Sequence, residues 1–248
     1  MTARPEPGVI RSSPRLLTFD FFGTLVETAP AGEAAFARIL RWNNASSVSS
    51  EAFYKKWLAT LQASLLGPYE SYRDLATQAL DKVFFEFDID GRSGDIGTYF
   101  DGFPKLKLWP DTERTLALLA ERHPIAVITN MDNDVFAVTP KPDIALRYVF
   151  TSENARGYKP DGTLFRYALR ESGLEPTEVL HSGQSQWTDM VGAKPLGIPV
   201  AWINRYALAL HPSVPAPDFE FRDLIPLVDI VDVVKDDPAA APSIQGDG

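Results

Sequence analysis

Cysteine is missing from this chain of 248 residues, and its absence excludes disulfides, thiolate metal sites and a cysteine nucleophile together. Histidine is scarce: the three residues, His123, His181 and His211, are too scattered to suggest a zinc centre. His181 stands at the end of an apolar run, where a lone histidine is more often structural than catalytic. No stretch approaches the roughly 20 apolar residues of a membrane-spanning helix. Positions 1–13, rich in Pro, Arg and Ser, hold no apolar run of signal-peptide length, so a cytoplasmic protein is the default expectation. Cationic charge is in deficit, 24 Lys and Arg against 33 Asp and Glu, a formal net charge of −9. Nucleic acid and anionic membrane would both be repelled at long range. A small anionic substrate would have to be drawn in by a few local cations.

Length is not lacking. A chain of this size can bury a substantial core, as one large domain or as one with a smaller domain inserted. Short apolar runs suited to buried parallel strands recur at 16–20, 125–129, 148–151, 179–182 and 199–203. Helical patterns separate them, among them 111–122, 163–172 and 188–196. This alternation predicts a doubly wound α/β fold on a parallel sheet. Between 27 and 103 the pattern changes to helical periodicity without β runs, at 31–42, 50–66 and 69–87. That interval predicts a helical cap inserted after the first strand, sitting over the strand ends and closing a site from water. The expected division is a core at 14–28 and 104–235, a cap at 29–103, and tails at 1–13 and 236–248 whose composition offers little to pack.

The most informative run is Leu16-Leu17-Thr18-Phe19-Asp20-Phe21-Phe22-Gly23-Thr24-Leu25, where an apolar strand ends in a carboxylate and passes into a Gly-Thr turn. Open α/β sheets hold their ligands at the carboxyl ends of strands, which makes Asp20 a candidate nucleophile. Two residues on, where an acid would stand if a departing alcohol had to be protonated, there is Phe22. Three more polar clusters follow predicted strands: Thr129-Asn130, Lys159 within Gly157-Tyr158-Lys159-Pro160, and the run from Ser182 to Asp189. Right-handed crossovers bring such ends to one edge of a sheet. Singly, each cluster is weak. An Asp at a strand end is most often a turn or cap residue, one of Thr129 and Asn130 reads equally well as the cap of a following helix, and Lys159 alone would be a solvated loop cation. The ordered set is what points to catalysis.

In that set the chain resembles the haloacid dehalogenase superfamily, whose four motifs are matched by FDFFGTL, ITN, GYKP and HSGQSQWTDMVGAKPLG within 16–227. The resemblance implies Asp20 as nucleophile, Thr24 and Thr129 as its hydrogen-bonding supports, and Asn130 as a contact to substrate or leaving group. It implies Lys159 as the cation that holds the nucleophile ionised, and Asp189 as the acid that pairs with Lys159 or positions water. Two departures separate the chain from the superfamily's phosphatases. Those enzymes carry a second Asp two residues after the nucleophile, where this chain has Phe22, and an acidic magnesium ligand in the fourth motif, where it has Gln184. A neutral amide is a poorer partner for Mg²⁺ than a carboxylate. The type II 2-haloacid dehalogenases, which the chain also resembles through Trp202-Ile203-Asn204-Arg205, need neither device, since halide leaves as a stable anion. This likeness implies hydrolysis of small 2-haloalkanoic acids through an aspartyl ester, with no metal and no cofactor.

The expected substrate contacts are Phe21, Phe22, Met131, Gln184, Ser185, Gln186 and Trp187. Gln184, Ser185 and Gln186 read nearly as well as turn residues, and Phe22 and Trp187 as packing. Two further departures concern the substrate end. The dehalogenases bind substrate or departing halide with an Arg early in the cap; positions 53–56 hold none, which leaves Lys55, Lys56 or Arg73 as substitutes, and a lysine is a point charge where Arg is a planar fork. A third-motif tyrosine of that group is replaced by Phe165. Asn154 and Arg156 read as loop residues, with anion steering as the lesser option. The expected partner is one small anionic molecule. A homodimer, as similar proteins often form, stays open, as do an atypical phosphatase and a binding protein that has kept the fold without the chemistry.

Overall fold

Four consecutive residues, LLTF, are buried on both faces and form β1 (Leu16–Phe19), as the interior strand of a parallel sheet requires. The chain then runs through β2 (Val26–Glu27), α1 (Ala29–Trp42), α2 (Ser50–Ser64), α3 (Tyr72–Glu86), α4 (Gly97–Phe100), β3 (Lys107–Leu108), α5 (Thr112–Ala120) and β4 (Ile125–Thr129). It continues through α6 (Asn133–Val138), β5 (Leu146–Thr151), α7 (Ser152–Ala155), α8 (Thr163–Ser172), β6 (Val179–Gly183), α9 (Val191–Ala193), β7 (Val200–Ile203), β8 (Phe219–Phe221) and α10 (Leu227–Val233). This computed structural model describes residues 13–233. The expected tails therefore lie outside the described residues, Ser13 excepted.

Six strands form one parallel sheet in the order β5-β4-β1-β6-β7-β8. The chain leaves β1 for β4 and β5 on one side, then crosses back to β6 on the other. Phe19 is in register with Val127 of β4 and Ser182 of β6, so three strands end together where the order reverses. Such a reversal opens a crevice above the strand ends. The fold is the expected doubly wound α/β sheet with an inserted helical cap.

Local chemistry moves several boundaries. The third cap helix starts at Tyr72 and not at 69, because Pro68 precedes a true N-cap, Ser71, whose hydroxyl accepts the Asp74 N–H at 3.1 Å. The helix expected over 188–196 is broken into a π-helical turn at Gln186–Met190, the short α9, and a 3₁₀ turn at Lys194–Leu196. Gly192 and Pro195 weaken the regular helix there. The interval expected to lack β structure is bracketed by a small antiparallel ribbon, Val26↔Leu108 and Glu27↔Lys107. That ribbon ties together the two points where the chain leaves and rejoins the sheet layer.

The helical layer holds itself together by aromatic packing. Phe36 of α1 meets Phe53, Tyr54 and Trp57 of α2 with ring centroids 5.9, 5.2 and 4.8 Å apart. Such pairs add about 0.5–1.5 kcal/mol each beyond area burial. A polar contact locks this layer to the core. The buried carboxylate of Asp132, just past β4, accepts the N–H groups of Tyr72 at 2.9 Å and Arg73 at 3.0 Å, serving the otherwise unpaired first turn of α3 with negative charge at its positive end.

Asp132→Ala is expected to lower the unfolding free energy by about 1–2 kcal/mol and to accelerate amide exchange at Tyr72 and Arg73 ahead of the sheet. Urea denaturation with hydrogen exchange checks this, and unchanged protection at those two amides would count against the contact.

Candidate active site

Asp20 is the first residue past β1. Its N–H donates to the Ser182 carbonyl at 2.9 Å, continuing the β1–β6 ladder by one step, so the carboxylate emerges above the strand ends. Gly23, at φ +92°, turns the chain back and returns Thr24 beneath it. The Thr24 hydroxyl donates to Asp20 Oδ2 at 2.6 Å and accepts the Gln184 N–H at 2.9 Å. The other oxygen, Oδ1, is bonded by the ammonium of Lys159. The lysine comes from the loop after α7, whose backbone is fixed where Asn130 Oδ1 accepts the Lys159 N–H at 3.0 Å.

Lys159 is shared. Its Nζ also donates to Asp189 Oδ1 at 2.8 Å, with both side chains buried. Asp189 further takes the Ser185 N–H at 3.0 Å and lies 3.1 Å from His181 Nε2, whose other ring nitrogen is 3.0 Å from the Thr18 hydroxyl. Close backbone approach makes this possible. A Cβ on Gly192 would lie 2.0 Å from the Lys159 carbonyl oxygen, so no larger residue fits at that position.

Burial penalises all three charges, and their partners decide the outcome. For Asp189 the desolvation is outweighed by Lys159 and His181, which hold the carboxyl well below the usual range. For Lys159 it is outweighed by the two carboxylates, which raise the ammonium. For Asp20 desolvation wins over Lys159, the charge of Asp189 adds to it, and the carboxyl is raised. One cation serves two carboxylates, and Asp20 carries the surplus charge.

A cavity of about 250 Å³ lies over Asp20. Of the residues expected from sequence, Asp20, Phe22, Thr129, Asn130, Met131, Lys159, Gln184 and Ser185 line it. Thr24 and Asp189 hold the lining residues from behind. Neither Thr129 nor Asn130 caps a helix: the Thr129 hydroxyl accepts the Met131 N–H at 3.4 Å, and Asn130 holds the lysine loop.

Three expected contacts lie elsewhere. Phe21 is fully buried, with its ring 4.9 Å from that of Phe136, because neighbours along an extended chain face opposite ways. The Gln186 amide donates to the Ala209 carbonyl and accepts the His211 N–H, both at 2.8 Å, pinning the loop after β7. Trp187 is 45% exposed and rests on His211. The substitutes for the missing cap Arg are also elsewhere. Lys55 pairs with Glu51 at 2.5 Å, Lys56 with Glu86 at 2.6 Å and Arg73 with Asp134 at 2.8 Å, and none of them lines the cavity. Phe165 packs edge-on against His181, with centroids 4.8 Å apart. Asn154 accepts from the Asn133 amide, and Arg156 covers the Tyr69 ring.

Sequence reading missed two groups. Arg205 donates to the Thr24 carbonyl through Nε and Nη2 and pairs with Asp111 at 3.0 Å, clamping the turn that follows Asp20; it lies in the Trp202 to Arg205 segment, so its motif is visible in the sequence and its contacts are not. The tyrosines Tyr54, Tyr72, Tyr99 and Tyr206 line the cavity; the first three lie on helices and Tyr206 in the turn after β7, and nothing else in the sequence marks them.

Comparisons with known proteins bear on this arrangement. The family model of the haloacid dehalogenase-like hydrolases matches residues 14–197. An (S)-2-haloacid dehalogenase of Burkholderia cepacia is 24% identical over 219 residues, 85% of this chain and 88% of the relative. A haloacetate dehalogenase of Moraxella is 23% identical over 221 residues, 87% of this chain and 95% of the relative. The structure of an L-2-haloacid dehalogenase from Xanthobacter autotrophicus with chloropropionic acid covalently bound shares the fold at a TM-score of 0.73 and 19% identity, over 88% of this chain and 98% of that one.

The surplus charge on Asp20 has a stability consequence. With its folded pKa raised above the ordinary 3.8, the native state keeps a proton that the unfolded chain has lost, so stability falls as pH rises through that window and stays lower above it. Asp20→Asn is expected to raise Tm at about pH 7 by roughly 2–4 °C, the shift for about 1 kcal/mol in a chain of this size, and to lose the gain in acid. Thermal unfolding at both pH values checks this; a lower Tm at neutral pH would mean that Lys159 compensates Asp20 in full.

Proposed function

The chain belongs to the haloacid dehalogenase-like hydrolases, and we propose that within them it hydrolytically displaces halide from the carbon next to a carbonyl group. Asp20 is the nucleophile in this reading, and 2-haloalkanoic acids, the class named for the Burkholderia relative, are the reference substrates. One observation carries the reading. Asp20 has both oxygens held, by Thr24 and by Lys159, while the side chain two positions on that faces the same cavity is the phenyl ring of Phe22. A nucleophile without an adjacent proton donor suits a leaving group that departs unaided as an anion.

The steps follow from the geometry. An Asp20 oxygen forms a bond to the halogen-bearing carbon as the carbon–halogen bond breaks and halide leaves with the electron pair. The side chain is now a neutral ester, and the Lys159 ammonium is left paired with Asp189 alone. Water adds to the aspartyl carbonyl carbon, and the oxyanion that develops on the oxygen that did not attack keeps the donor that already held it, Lys159 on Oδ1 or Thr24 on Oδ2. Breaking the acyl C–O bond restores Asp20 and releases the hydroxylated product, one of the water's two protons ending on the product oxygen and the other in solvent. Asp189 is a positioning residue, since its oxygens are taken up by Lys159, His181 and the Ser185 N–H. The residues do not fit Mg²⁺. The cavity offers a single carboxylate, already bonded to an ammonium, with hydroxyls and the Gln184 amide around it.

Chloride release from 2-chloropropanoate is expected to be insensitive to chelators and abolished in Asp20→Asn. It should fall in acid along a limb above the ordinary carboxylate value, because the raised Asp20 must be ionised to attack. In a single turnover in heavy-oxygen water the label should enter Asp20 first. Label found only in the product, or magnesium-dependent turnover of phosphate esters in its place, would overturn the reading.

A further inference from the structure

The recognition end of the cavity differs in charge from what a carboxylate substrate calls for. Among the described residues lining it, Lys159 is the sole cation, and two carboxylates already share it. The nearby arginines are engaged elsewhere: Arg73 on Asp134, Arg156 over Tyr69, and Arg205 on Asp111 and the Thr24 carbonyl. A free carboxylate entering here would give up its water without a compensating cation and would meet the surplus negative charge of Asp20.

What the helical layer supplies in place of a cation is a set of neutral donors. Tyr54, Tyr72 and Tyr99 all line the cavity, and each carries a phenolic O–H able to donate to a ligand oxygen. Burial holds all three phenols well above their ordinary range, so they remain neutral donors at physiological pH. The rings are fixed in place. Tyr54 packs against Gly32 so closely that a Cβ there would lie 2.4 Å from it, and the backbone of Tyr72 is held by Asp132. Beside the hydroxyls, Leu58, Leu61, Leu65 and Met131 present an apolar wall.

We propose that this cavity takes an uncharged 2-halogenated carbonyl compound, an amide or ester, in preference to a free 2-haloacid, with the carbonyl oxygen held by the tyrosine hydroxyls that line it. The proposal rests on the reading of Asp20 as a dehalogenating nucleophile, and it assigns Tyr54, Tyr72 and Tyr99 as the residues that set substrate charge. An amide or ester carbonyl needs one donor and no counter-ion, which is what the cavity provides. The chemistry at Asp20 is unchanged: the O–C bond forms, the C–X bond breaks, and halide leaves with the pair.

The test separates recognition from chemistry by using unreactive isosteres on the wild-type protein. Calorimetry at one ionic strength compares 2-methylpropanamide with 2-methylpropanoate, and chloride release compares 2-chloropropanamide with 2-chloropropanoate. The amide is expected to bind about tenfold more tightly and to show the higher kcat/KM. Tyr99→Phe, which keeps the ring and removes the hydroxyl, should erase most of that preference, and Leu58→Arg should reverse it. Equal or tighter binding of the carboxylate overturns the proposal, and so does the absence of measurable binding by either isostere. If the amide isostere binds selectively while neither chloride is released, the recognition proposal stands and the dehalogenase reading falls. If chloride is released and the acid is preferred, the reading stands and the proposal falls.

Discussion

A buried ammonium shared by two carboxylates organises this molecule. Taking three charges out of water costs several kcal/mol per ion before their mutual attraction is counted, so the surroundings must supply hydrogen bonds to nearly every lone pair. They do so from three strands at once, β1, β4 and β6. The Thr24 hydroxyl serves Asp20 and is itself fixed by the Gln184 N–H; Ser185 and His181 serve Asp189; Asn130 holds the lysine's backbone. A one-residue slip of β6 against β1 would break the Thr24–Gln184 contact and part Asp20 from Asp189 on their common lysine, because such a slip turns every side chain to the other face. The strand register and the charge cluster therefore specify each other.

The parts of the fold legible in the sequence are those where one physical signal dominates. β1, β4 and β6 are buried throughout and read as short, mainly apolar runs, and α1 to α3 show helical periodicity. The two-residue β2 and β3, and β8 with three, are too short to express a period of two. The stretch at 186–196 carries a helical pattern that tertiary demands override, since Gly192 must pass against the Lys159 carbonyl and Asp189 must reach back beneath the lysine.

The same division holds at the site. Asp20, Thr24, Lys159 and Asp189 meet because the order of strand ends already implied their convergence. Phe21, Gln186 and Trp187 were placed at the site because they adjoin such residues in sequence, yet adjacency along the chain alternates direction in space. The tyrosine cluster of the cavity was not legible for a different reason. Its members come from α2, α3 and α4, and their hydroxyls acquire a shared role only when three helices are packed. Each one alone is an ordinary amphipathic residue on a buried face.

Chemistry and recognition are thus divided between two layers that share one carboxylate-to-backbone contact. On the proposed reading the sheet edge decides which bond can break, because it holds Asp20 with surplus charge and no proton donor beside it. That same charge limits what the helical layer can admit, since any anion drawn to Asp20 must be matched by a cation the layer would have to provide. With Lys55, Lys56 and Arg73 all committed to surface acids, the layer presents hydroxyls and aliphatic carbons to the cavity. Asp132 makes this arrangement dependent on the core, because the residue whose backbone it holds, Tyr72, carries one of those hydroxyls. The contact that seats α3 against the sheet layer thus also holds Tyr72 at the cavity above Asp20, so that the packing of the two layers and the lining of the cavity depend on one carboxylate.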